Sequence, residues 1–175
     1  FQQVQNIRNK DEWKDQSGWL RNSPQSTLEY YNPIIMSKFF MLHDISIMNP
    51  FNSKQIYWID GGIASTVNLG YFTHDKVLDK IESLSNNFLF VCFPYDADKE
   101  IHGFEFNKIN EMCGDTVKLV GRGGFFGGPK DDITQMNNTY YSLMSETLSQ
   151  GYMGTEESIF SIMLKVDLPF LLLTA

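Results

Sequence analysis

The sequence has little to offer a nucleic acid or a membrane. Its 14 Lys and Arg are outnumbered by 21 Asp and Glu, for a net charge of −7. No Lys/Arg cluster supplies the basic face that phosphate neutralisation requires. An anionic ligand would need local help, from a metal ion or from backbone N–H groups. No apolar run approaches the roughly 18 residues of a membrane-spanning helix, and the first residues show no basic-then-apolar leader. Cysteine is scarce, with Cys92 and Cys113 alone and without metal-ligand spacing. They read as small apolar residues of a reducing, cytoplasmic compartment, a disulfide between them being the other option. His74 and His102 have no partner at ligand spacing, so surface or structural places are expected for both. Repeats and low-complexity tracts are absent, and 42% hydrophobic with 14% aromatic residues leaves no sign of disorder. One domain over residues 1–175 with one sizeable core is expected. The chain opens at Phe1 and closes on residues 168–175 (LPFLLLTA), which read as a strand cut from its continuation in a longer protein.

Glycine, by contrast, is concentrated. Gly123, Gly124, Gly127 and Gly128 bracket Phe125 and Phe126 within residues 120–132 (VGRGGFFGGPKDD). Two Gly-Gly steps so close call for positive φ or for the near approach of another group, since glycine alone lacks a Cβ. Residues 115–120 (DTVKLV) alternate as a short strand, while Pro129, Asp131 and Asp132 suit the first turn of a helix. The expectation is a strand, a tight glycine loop and a helix. If the loop serves a pocket, valine at Gly124 or Gly127 leaves a folded chain; if it is only a turn, valine does not.

Elsewhere helix-like and strand-like segments alternate. Val4, Ile7, Trp13 and Leu20 recur at roughly helical intervals until Ser23-Pro24 breaks the pattern. Residues 28–48 read as one helix, entered at Asn32-Pro33 and closed at Asn49-Pro50. Lys38 stands within its apolar run, where a lysine either snorkels to solvent or holds an anionic ligand. Residues 55–60 (QIYWID) form a buried-looking strand ending in Asp60-Gly61-Gly62. That puts a carboxylate where open α/β sheets bind ligands, the alternative being an Asp that caps its own turn. Residues 73–84 suit an amphipathic helix and residues 88–93 (FLFVCF) a second strand, which runs into Asp96-x-Asp98. Such a pair can share Mg²⁺ or Mn²⁺, although the string is frequent by chance. Residues 103–110 (GFEFNKIN) alternate as a strand able to pair with residues 88–93. Finally, Thr155 as N-cap, with Glu156 and Glu157 in the first turn, opens a helix whose dipole alone would explain both acids.

Five strings together carry a resemblance: YYNPIIMSKFFML at 30–42, YWIDGGI at 57–63, FPYDADKEIHGF at 93–104, GRGGFFGG at 121–128 and TEESIF at 155–160. They resemble the HtrL/YibB family, which the likeness would place among GT-A type glycosyltransferases. The glycine string with its downstream acid-Glu-Ser is also similar to the blood-group A/B type transferases. The resemblance implies a GT-A-like (Rossmann-like) α/β fold, a mixed sheet flanked by helices, lacking the amino-terminal strands that hold the nucleotide base. It implies a donor site at Lys38, Asp60, Gly61 and Gly62, with Asp60 as the ligand of Mn²⁺ or Mg²⁺. A second aspartate is expected two residues later, and Gly62 stands there. It implies an acceptor site at Gly123, Gly124, Phe125, Phe126 and Gly127. Catalysis would fall to Glu157, beside the reacting carbon, with Glu156 before it; only one of the two is expected to face the pocket. The activity implied is transfer from a nucleotide-sugar donor to a saccharide or other hydroxyl acceptor, with no nucleic acid and no membrane span involved. Two rivals stand beside it. One is a non-catalytic carbohydrate-binding or scaffold relic that has lost its second metal aspartate. The other is a metal-dependent hydrolase using Asp96 and Asp98.

Overall fold

A computed structural model describes residues 1–66, 76–96, 100–165 and 170–174. Short helices come first: α1 Gln2–Arg8, α2 Asp11–Lys14, a 3₁₀ turn at Leu20–Asn22, α3 Pro24–Thr27, α4 Tyr31–Met36 and α5 Lys38–Met48. Then come β1 Gln55–Ile59, α6 Ile63–Thr66, α7 Val77–Ser83, β2 Phe88–Pro94, and the two-residue strands β3 Glu100–Ile101 and β4 Phe104–Glu105. The rest is α8 Phe106–Cys113, β5 Leu119–Pro129, α9 Lys130–Ser149, α10 Glu156–Met163 and β6 Phe170–Thr174. The architecture is α/β, a small and mainly antiparallel sheet flanked by helices. Strand order is β1-β5-β2-β6, with β5 antiparallel to both of its neighbours and β6 parallel to β2.

Aromatic packing ties the sheet to its helices. Phe39 on α5 stacks on Phe88, Phe126 and Tyr140 at centroid distances of 5.7, 5.3 and 5.1 Å, and meets Phe160 of α10 edge-on at 5.9 Å. Each such pair contributes roughly 0.5–1.5 kcal/mol beyond the area it buries. Val4, Ile7, Trp13 and Leu20 join a second cluster with Met36, Leu148 and Met153. Their spacing therefore marks burial correctly, although the segment is a string of short helices. Trp13 Nε1 donates to the carbonyls of Gly103 and Met153, both at 2.9 Å, and so pins the β3–β4 turn to this cluster.

Several expectations change. The helix over 28–48 is two helices: Ser37 Oγ bonds back to the Pro33 carbonyl, and its N–H tightens onto Ile34. Lys38 therefore begins α5 instead of lying within a helix. Asn49 does close α5, in the left-handed region at φ 36°. Residues 103–110 give only β4 and then α8, because the Glu105 carboxylate accepts from the N–H groups of Asn107 and Lys108 and caps a helix there. Strand β1 is at the sheet edge and half-exposed, not buried. In the 73–84 segment the described helix is Val77–Ser83; His74, like Asp98, lies outside the described residues. Both cysteines are free thiols. Among the described residues no helix is long and apolar enough to cross a membrane.

The largest correction concerns the glycine string, which is not a loop between strand and helix but most of the central strand. Gly127 pairs with Tyr57 of β1 on one side and Leu89 of β2 on the other. Its φ is +142°, and a Cβ would strike the Ile56 carbonyl and come within 2.7 Å of Tyr57 Cα, neither of which can yield without moving β1. Gly128 meets the Asn87 carbonyl at 2.6 Å in the same way. Valine at Gly127 is therefore expected to disrupt the β1–β5 pairing, where a loop serving only a pocket would tolerate it. In urea unfolding, Gly127→Ala is expected to lose about 3 kcal/mol or more. Gly124→Ala, whose Cβ meets only Ile63 at 3.4 Å, is expected to lose less than about 1 kcal/mol. Equal midpoints for the two variants would contradict this reading.

Candidate functional site

Val91 alone separates the paired residues Phe90 and Cys92 of β2, whereas Arg122 to Phe125 separate their partners Gly121 and Phe126 on β5. The surplus residues make a large bulge on the β2 side of β5, which leaves the Gly123 backbone free to meet side chains. Asp60 follows β1 directly, and its N–H donates to the Gly124 carbonyl at 3.0 Å, continuing the β1–β5 pairing past the strand end. Its Oδ1 accepts from Trp58 Nε1 at 2.7 Å, the two side chains sharing a strand face at i and i+2.

Lys38, at the start of α5, sends its ammonium into the bulge. Nζ lies 2.8 Å from Asp60 Oδ2, 2.7 Å from Glu156 Oε1 and 3.2 Å from the Gly123 carbonyl. Three acceptors use its three donor positions. The lysine therefore neither snorkels nor presents a free cation to a ligand, and sequence reasoning had foreseen only those two uses.

Gly123 is where the elements meet. Its N–H donates to Glu157 Oε1 at 2.9 Å, its carbonyl accepts from Lys38, and a Cβ there would collide with the Glu156 carboxylate. Thr155 caps α10 by accepting the Glu157 N–H at 3.2 Å, so both acids leave the helix's first turn toward the bulge. Of the two, Glu156 is the one joined to Asp60, through Lys38. Glu157 turns the other way: its Oε2 lies 3.0 Å from His102 Nε2 and 3.2 Å from Arg122. The Arg122 guanidinium also sits over the Phe93 ring, 5.9 Å from its centroid.

The remaining candidates scatter. Gly61 and Gly62 are exposed, with open space where a Cβ would stand. Phe125 stacks on Tyr57 at 5.5 Å, half-exposed, but Phe126 is fully buried in the aromatic core and offers no surface to an acceptor. Asp96 is exposed beyond β2. His102, expected at the surface or in a structural place, and Arg122 and Trp58, which drew no attention, all belong to the site. Trp58 was legible as the i−2 neighbour of Asp60, and Arg122 as the one cation in the glycine string. Nothing in the spacing of His102 gives it away.

These donors do not fit a divalent cation. Asp60 has one oxygen on an ammonium and the other on an indole N–H, so an ion there would have to displace Lys38. Among the described residues no three His, Cys, Asp or Glu side chains gather into an all-protein metal site.

The charges are unevenly matched. One ammonium serves two carboxylates, and burial pushes Glu156 up to about 7, outweighing the pull of Lys38. Lys38 itself is raised, since Glu156 and Asp60 together outweigh the burial that opposes its charge. His102 is lowered by burial, assisted by Arg122 and opposed by Glu157 and Glu100. A carboxyl raised in the folded state binds its proton more tightly there than in the unfolded chain. Its linkage therefore removes stability as pH climbs from the ordinary carboxyl range through about 7. Glu156→Gln mimics the protonated form. Unfolding measured at pH 5 and pH 8 should show the variant gaining on the parent at the higher pH, by on the order of 3 kcal/mol. An unchanged difference between the two pH values would contradict the assignment.

No curated protein and no solved structure matches the sequence. A family model does, over residues 4–172. The chain accordingly belongs to the HtrL_YibB family, described as bacterial proteins of unknown function.

Proposed function

We propose that the chain is a glycosyltransferase that moves a sugar from a nucleotide-sugar donor to a hydroxyl of a saccharide or other acceptor, on a GT-A-like scaffold. The observation that carries this reading is the convergence on Gly123. The strings that share the resemblance to transferases, around Lys38, Asp60, the glycines and the acidic pair, are remote in sequence yet each bonds or abuts that residue or its neighbour. Such a transfer needs a group to take the acceptor's proton and a field that stabilises the departing diphosphate. The Glu157–His102 couple supports the first need. Arg122, more exposed than Lys38, is the cation available for the second. Half-exposed Phe125, Tyr57 and Tyr95 offer flat apolar surface to sugar faces. Glu156 acts through Lys38 on the shape of the bulge. No step is assigned to a metal ion, for the donor set around Asp60 is already satisfied.

A second reading is favoured by that same satisfied Asp60, together with glycine at position 62: a carbohydrate-binding relic without catalysis. Thermal shift with UDP or GDP, with and without Mn²⁺, followed by assay of nucleoside diphosphate release from UDP- and GDP-sugars, separates the two. The transferase reading expects a rise in Tm with one nucleotide, because a ligand of the folded state alone stabilises it. It also expects turnover that Glu157→Gln lowers about 10²- to 10⁴-fold with the shift retained, and that Glu156→Gln lowers less. Nucleotide binding without turnover would establish the relic, and no shift with either nucleotide would remove the donor from the account.

A further inference from the structure

Both oxygens of Glu157 face protein groups: Oε1 accepts from the Gly123 N–H, and Oε2 lies 3.0 Å from His102 Nε2 and 3.2 Å from Arg122, although Nε2 itself is buried without an aligned hydrogen bond. The carboxylate is thus built to hold its neighbours, and the more accessible group of the couple is the imidazole, with a side-chain exposure of 23% against 13%. His102 also occupies a position that its own backbone disfavours. It stands between β3 and β4 with φ +52°, followed by Gly103 at φ +89°, in a two-residue turn that prefers Asn, Asp or Gly at its first position. The turn is fixed from three sides. Glu100 Oε2 accepts the Gly103 N–H at 2.7 Å, Trp13 donates to the Gly103 carbonyl, and Trp19 donates to Glu100 Oε1 at 2.9 Å. Tyr95 flanks the ring, 5.5 Å between centroids. A histidine held this firmly against a backbone preference calls for a reason outside the turn.

Resting on the transferase reading for its reaction, we propose that His102 is the base that takes the acceptor hydroxyl's proton and that Glu157 is the positioning residue that orients it. Nε2 is buried 3.0 Å from Glu157 Oε2 without an aligned hydrogen bond; a small turn of the ring would let a neutral imidazole meet the carboxylate through Nε2–H, which leaves the lone pair on Nδ1. In the step, the acceptor O–H proton passes to Nδ1 while the acceptor oxygen bonds to the anomeric carbon. The bond from that carbon to the diphosphate oxygen breaks, its electron pair leaves with the nucleoside diphosphate, and the new imidazolium faces Glu157. Configuration at the anomeric carbon inverts. The charged and titratable groups around the ring are Glu157 of α10, Arg122 of β5, Glu100 of β3 and Tyr95 after β2. Burial lowers the ring from its ordinary value and so favours the neutral form that a base requires.

The test uses the full chain with ¹⁵N-labelled histidine. His102→Asn, a residue that tolerates positive φ, assigns the His102 signals among the three histidines. The proposal expects the Nε2–H tautomer and a midpoint below 6.5, falling further in Glu157→Gln because an anion that favours the imidazolium is lost. An Nδ1–H tautomer, or a midpoint that Glu157→Gln leaves in place, overturns the couple. In the nucleoside diphosphate release assay, His102→Asn should lower kcat about 10²- to 10⁴-fold and erase the acidic limb of the pH profile, with the nucleotide thermal shift kept. An active parent whose His102→Asn variant retains rate and profile overturns the base alone. A parent that releases nothing from any donor overturns the transferase reading and with it the base, and the NMR result still decides whether the couple exists.

Discussion

The ammonium of Lys38 is the interaction on which the site depends. It joins the start of α5, the end of β1, the bulge of β5 and the first turn of α10 at one point. Removing it would leave Asp60 and Glu156 facing each other across a region of low polarisability, where breaking a charge pair costs several kcal/mol. Burial raises Glu156 to about 7 against the pull of Lys38. The three acceptors occupy all three donor positions of Lys38 in this structure.

Around that point the glycine string performs two different tasks with the same residue type. Gly127 and Gly128 let β5 lie against β1 and β2, whose backbones leave no volume for a Cβ. Gly123 lets the Glu156 carboxylate lie against the bulged backbone. The phenylalanines between them split by strand alternation, Phe126 into the core and Phe125 to the other face against Tyr57. A motif that reads as one loop is therefore half ladder and half site.

Local signals were read well from the sequence. The capped acidic pair at Thr155, the helix after Pro129 and the apolar strand at Phe88–Pro94 need only neighbouring residues to define them, and the structure has all three. The readings that failed depended on partners distant in the chain. Whether GRGGFFGG is a loop or a central strand is decided by β1 and β2 on either side, and whether residues 103–110 pair or coil is decided by one capping carboxylate at Glu105. Within the site, Lys38, Asp60 and the acidic pair were singled out because their types are conspicuous in apolar or strand-end settings. The partition between Glu156 and Glu157 was not legible, because adjacent helical residues differ only in direction until β5 is placed. Arg122 and His102 meet at Glu157 across three elements, a juxtaposition no spacing rule encodes.

The family match leaves chemistry open, and the reading offered for it stands or falls on whether these charges act as one unit. A double-mutant cycle on Lys38→Met and Glu156→Gln, followed by urea unfolding at pH 8, measures that directly. Lys38→Met alone should lose about 3–5 kcal/mol. The double variant should recover part of that loss, with a coupling above roughly 1 kcal/mol. Losses that simply add would show that Lys38 and Glu156 do not share a charge, and would contradict the account of the site.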